Sequence, residues 1–104
     1  MRMVLKAVID TEAGTEVFRR GAVAEVVDRM QEDLQPEALY FFGEDGQRMV
    51  FAVFDLADPS QLPVLTEPLF ALGKAKITMT PCMNLEDLKK GVEEAGRRMQ
   101  DMQG

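Results

Sequence analysis

Lys6, Tyr40, Thr78 and Cys82 are the side chains whose types could do chemistry in this chain, alongside scattered carboxylates. Histidine is absent. The commonest general base is therefore missing, and with it His-containing triads, His-ligated haem and most zinc sites. Catalysis would have to use a carboxylate, a lysine, the tyrosine, the cysteine, or a reactive substrate held in a shaped cavity. No phosphate-binding glycine loop, metal-ligand spacing or nucleophile elbow occurs, so neither a cofactor nor a metal is expected.

Each candidate carries a plainer reading beside the chemical one. A lysine or tyrosine inside an apolar chamber could orient a phenolate, an enolate or a carboxylate. Lysine is rarely buried unpaired, however, and Lys6 could equally pack its stem and leave its head in water at the sheet margin. Cys82 stands just before a helix start, where positive backbone ends can lower a thiol pKa. A small buried hydrophobe is its simpler role. Asp10, Glu12, Asp55 and Asp58 fall at strand ends or caps, too far offset for a paired-carboxylate site, and Asp58 reads as an N-cap. The methionines read as adaptable core filler, with Met49, Met79 and Met83 the ones that could line a cavity.

The elements that must position these groups follow from periodicity. Val4 to Ile9 reads as a strand with Lys6 its one charge. Thr15 as N-cap, then Val17, Phe18, Val23, Val26, Val27, Met30 and Leu34 at helical spacing, predict one helix ending before Pro36. Gly21 would sit inside it and mark a close helix–sheet contact. Ala38–Phe42 and Arg48–Asp55 flank a hairpin centred on Asp45-Gly46. That turn pairs Phe42 with Met49, Phe41 with Val50 and Tyr40 with Phe51. Asp58-Pro59 opens a second helix to about Leu72, which Pro63 and Pro68 should kink or split and Gly73 should end. Ala75 to Met83 alternates into a strand with one polar face, and Pro81 suits an edge. A last helix, about 84–102, begins at Asn84. Leu85, Leu88, Val92, Ala95, Met99 and Met102 form a narrow apolar seam along it. That seam could lie on its own domain or on a partner.

Strand, helix, strand, strand, helix, strand predicts an antiparallel sheet with helices on one face, in a single domain spanning 1–104. The segment RMVFAVFD (Arg48–Asp55) is apolar on both faces, so both need covering. The helices cover one, and a second copy of the chain is the cheapest cover for the other.

The chain resembles the dimeric α+β-barrel superfamily, ferredoxin-like subunits whose sheets face each other. The likeness is strongest in DPSQLPVLTEPLFALG (Asp58–Gly73) and TPCMNLEDLKKG (Thr80–Gly91), which are similar to segments of small uncharacterised bacterial members. Better-known members include cofactor-independent monooxygenases, muconolactone isomerase, haem proteins of the chlorite dismutase type and stress-response barrel proteins. The haem branch depends on a histidine that is missing here, and no residue set matches the monooxygenase or isomerase sites. The resemblance therefore implies the fold and a homodimer, and leaves open whether the protein is an enzyme.

In such a barrel Lys6, Tyr40, Phe42, Phe51 and Thr78 would face the interior. They would form an apolar chamber with a few polar groups, the usual makeup of a small-molecule pocket. The leading expectation is a cytoplasmic homodimer that binds a small apolar or amphipathic molecule there. A cofactor-independent oxygenase or isomerase acting on a phenolic or polycyclic substrate is the second, and a purely structural dimerisation module the third. A net charge of −6 argues against nucleic acid and anionic membranes. No apolar run approaches a membrane span, the start reads as a strand rather than a signal peptide, and the single cysteine suits a reducing compartment.

Overall fold

Strict alternation in Arg2–Ile9 (β1) sends Met3, Leu5 and Ala7 into the core and Val4, Lys6 and Val8 to the opposite side of the sheet. The computed structural model describes residues 1–103. After β1 come Thr11–Arg19 (α1), Val23–Leu34 (α2), Ala38–Glu44 (β2), Gln47–Asp55 (β3), Gln61–Gly73 (α3), Lys76–Pro81 (β4) and Leu85–Gln103 (α4). The four strands form one antiparallel sheet in the order β2-β3-β1-β4, the ferredoxin-like arrangement. Pro81 ends an edge strand, where its missing N–H costs no ladder bond.

The core lies between the sheet and α1–α3. Met3, Leu5, Ala7, Val50, Ala52 and Phe54 meet Leu34, Leu65 and Leu69 from the helices. The hairpin has the register its turn dictates: Phe42 opposite Met49, Phe41 opposite Val50, Tyr40 opposite Phe51. Asp45 and Gly46 both take positive φ, 52° and 73°, as a two-residue turn between right-twisted strands requires.

Several expectations are corrected. The helix anticipated from Thr15 to Leu34 is two helices. Asp10, not Thr15, caps the first by accepting from the Ala13 amide at 3.0 Å. The break falls at Gly21, whose φ of 69° ends α1; the amides of Gly21 and Ala22 return to the carbonyls of Phe18 and Val17. Nothing lies within 4 Å of where its side chain would start, so Gly21 serves the turn and not a close contact. Gly21→Ala should cost about 1–2 kcal/mol, the penalty for an L-residue held in the left-handed region, read as a lower urea midpoint with an unchanged slope.

Close approach is the role of Gly14 and Gly73, where an added Cβ would stand 3.1 and 3.2 Å from Ile9 side-chain atoms. The second helix also starts later than Asp58-Pro59 suggested. Asp58 instead accepts the Ser60 amide at 2.8 Å in the turn before α3, and the Ser60 hydroxyl and amide together hold its carboxyl below the usual carboxylate range. Neither proline splits α3. Pro63 falls in the first turn, where no N–H is needed, and Pro68 leaves only the carbonyl of exposed Val64 without a donor.

The last helix stands apart. Asn84 and Asp87 cap it reciprocally, each side chain accepting from the other's amide at 2.8 and 3.1 Å. Arg2 ties its base through Asp87 at 3.4 Å, and the hydrogen bond and charge of Glu37 hold the Arg2 guanidinium above its ordinary pKa. Beyond that turn α4 buries none of its residues. The molecule is 64 Å long with a radius of gyration of 17.7 Å, against roughly 13 Å for a compact domain of this size.

Candidate functional site

The sheet turned from the helices gathers the residues singled out from the sequence. Thr78, Lys6, Phe51 and Tyr40 stand in one cross-strand row over all four strands. Phe42 belongs to the adjacent row with Met49, Val8 and Lys76. Tyr40 is 64% exposed and Phe42 42%, while Val4, Val8, Phe51 and Val53 are half-buried between their neighbours. This is a continuous apolar face with one cation near its centre.

Lys6 is not at a margin. Its strand lies inside the sheet, and its ammonium reaches Glu44 on β2 at 3.5 Å. Both partners are about half exposed, so the pair is worth little to stability. Within one chain Tyr40 is mostly in solvent and is absent from the lining of the helix-side cavity described below, so an orienting role for its hydroxyl would need cover from elsewhere. Cys82 is half-buried beside Arg2, Glu37 and Asp87 at the base of α4. Asp10 and Asp55 lie at opposite ends of their strand pair, as the antiparallel register requires, and form no dyad.

A cavity of about 560 Å³ lies on the other side of the sheet. Val50, Phe41 and Phe42 of the sheet, Val27 and Met30 of α2, and Leu69 and Leu72 of α3 line it. Phe18 and Phe41 stand exposed at its rim, and Arg48 is the charged residue in its lining. The cavity exists because α2 presents short valines toward the sheet and stays only partly buried along that face. The sequence predicts a chamber on the opposite face and none here. The missed signal was the light cover: after the turn at Gly21, valines rather than large side chains face two aromatic-bearing strands. Among the described residues no cluster of three His, Cys, Asp or Glu side chains is placed to hold a metal ion. No described helix is long and apolar enough to cross a membrane.

No protein-family model matches the chain, and no curated protein matches it. Solved structures do. The uncharacterized protein TM1266 from Thermotoga maritima superposes with a TM-score of 0.54 at 15% identity, over 79% of this chain and 96% of that one. A formyltetrahydrofolate deformylase from Pseudomonas putida KT2440 gives 0.51 at 18% identity; the match covers 79% of this chain and only 29% of that enzyme. An antibiotic biosynthesis monooxygenase is a more distant match, with a TM-score of 0.46 and 17% identity, over 81% of this chain and all of that one. At such identities the likeness concerns backbone architecture alone. The chain is a small ferredoxin-like α+β protein with an added C-terminal helix.

Proposed function

We propose that this protein is a homodimer joined through the open sheet face and α4, and that it binds a small apolar or amphipathic molecule. The ligand reading is carried by one observation, the cavity between the helices and β2–β3. Its volume of about 560 Å³ falls within the ~300–1,000 Å³ range of small-molecule sites, and its walls are almost wholly apolar. The dimer reading is supported by surface that water should not keep. A sheet face of roughly 26 by 19 Å and a helix seam of roughly 28 by 10 Å offer on the order of 800 Å² per chain. That is about what each partner of a stable complex buries.

Facing sheets would make the barrel anticipated from the sequence, with Lys6, Tyr40, Phe42, Phe51 and Thr78 turned inward. A second chamber over this row is the alternative ligand site, favoured by the Lys6–Glu44 pair standing amid apolar side chains. A cytoplasmic setting fits the single half-buried cysteine.

The neutral fluorophore N-phenyl-1-naphthylamine tests the ligand reading. It should bind with micromolar affinity and a blue-shifted emission. Val27→Trp, which fills the cavity from the α2 side, should weaken it tenfold or more. Absence of binding to the intact chain would end the reading, and binding indifferent to Val27→Trp but lost in Phe51→Lys would move the site to the barrel.

A further inference from the structure

Arg48 is exposed at the cavity rim, held by contacts that leave much of its hydrogen-bonding capacity to solvent, where a ligand can take water's place. Its side chain lies on the helix-facing side of β3, where Nη1 donates to the Thr11 carbonyl at 3.3 Å and both Nη atoms approach the Thr15 hydroxyl at 3.4 Å. These are long contacts to neutral oxygens, and among the described residues no carboxylate pairs with it; what sets it apart from the other unpaired cations is its place in the lining of the cavity. Gly14 fixes the position. A Cβ there would stand 2.9 Å from Nη1 and 3.3 Å from Cδ of Arg48, so a side chain at this position would make the guanidinium shift from its seat.

We infer that the ligand of this cavity is an amphipathic carboxylate, its headgroup held by Arg48 and its apolar body lying under α2. The inference rests on the ligand reading above and names the class of molecule. A guanidinium carries five N–H donors in a planar fork that matches a carboxylate, and such charge-assisted pairs are stronger than neutral ones. The remaining walls offer an acyl chain or an aromatic body apolar contact and no competing charge; Val17, Met30, Leu69 and Leu72 are typical. Thr15 adds a hydroxyl beside the guanidinium that can also meet a carboxylate oxygen. With a net charge of −6 the chain repels anions on average, so recognition of one must come from a local cation. On the open sheet face Lys6 is already neutralised by Glu44, and Lys76 stands on the edge strand β4, outside this cavity's lining.

Displacement of N-phenyl-1-naphthylamine by decanoate and by decanol, which share a chain and differ in charge, tests this. Decanoate should bind the intact protein at least tenfold more tightly than decanol. In Arg48→Met that ratio should fall to near one, with the circular dichroism spectrum checking the fold. Gly14→Ala, which pushes the guanidinium from its seat, should reduce the ratio severalfold with Arg48 still present. If the fluorophore binds but decanoate shows no advantage, the carboxylate inference fails while the ligand reading stands. A ratio that survives Arg48→Met, or collapses in Lys6→Met instead, also overturns it. If the fluorophore does not bind at all, both fall together.

Discussion

Phe51→Lys should dissociate the proposed homodimer at micromolar concentration, with light scattering reporting a drop from twice the chain mass to once. Phe51 sits on an interior strand in register with Tyr40 on one side and Lys6 on the other. A second ammonium there would stand beside the first. In a closed interface both would lose water without a matching pair of anions, since Glu44 serves only one. Tyr40→Glu gives a check less exposed to folding effects, because Tyr40 is on an edge strand and mostly in solvent. It should weaken association tenfold or more while the melting transition of the monomer stays put. An intact protein that scatters as a monomer at high concentration would remove the dimer and the barrel with it. The helix-side cavity would remain, being built within one chain.

Phe54→Ala should destabilise the fold by about 3–5 kcal/mol, the largest single-residue effect expected here, measured by urea unfolding. Phe54 is 2% exposed and lies in the core cluster with Met3, Leu5 and Leu56. Total stabilities of small domains run to roughly 5–15 kcal/mol, so this loss should leave the variant partly unfolded near body temperature. The contrast with Phe51 is instructive. Two residues of one type, three apart on one strand, face opposite sides of the sheet; one should change folding and the other association. A Phe51→Ala variant that lost as much monomer stability as Phe54→Ala would contradict that division.

The exposed seam on α4 belongs to the same association question. Leu85, Val92, Met99 and Met102 are each more than half exposed, and among the described residues no other part of the chain comes within 4 Å of where a side chain at Gly91 or Gly96 would start. Propensity alone seldom sustains a helix with two glycines in water, because most helical stability in proteins comes from packing an apolar stripe. Arg98 and Arg97 both meet Glu94 on the charged side, which stiffens the helix modestly and leaves the seam free.

Local rules were enough for the strands, the hairpin register and the last helix's start. Alternation assigns faces, Asp45-Gly46 allows essentially one two-residue turn, and Asn84 with Asp87 makes a reciprocal cap; each depends on residues a few positions apart. They also sufficed to show that RMVFAVFD would leave an apolar face beyond the reach of its own helices. The row of Thr78, Lys6, Phe51 and Tyr40 needed only the strand order in addition. Local rules misjudged the glycines, because φ at Gly21 and the crowding at Gly14 and Gly73 depend on where the chain goes next and what it then meets. The cavity and the seat of Arg48 were decided by tertiary structure alone. The cavity needs α2, α3 and the sheet brought together, and the seat of Arg48 needs α1 laid against β3; both depend on packing among segments far apart in sequence.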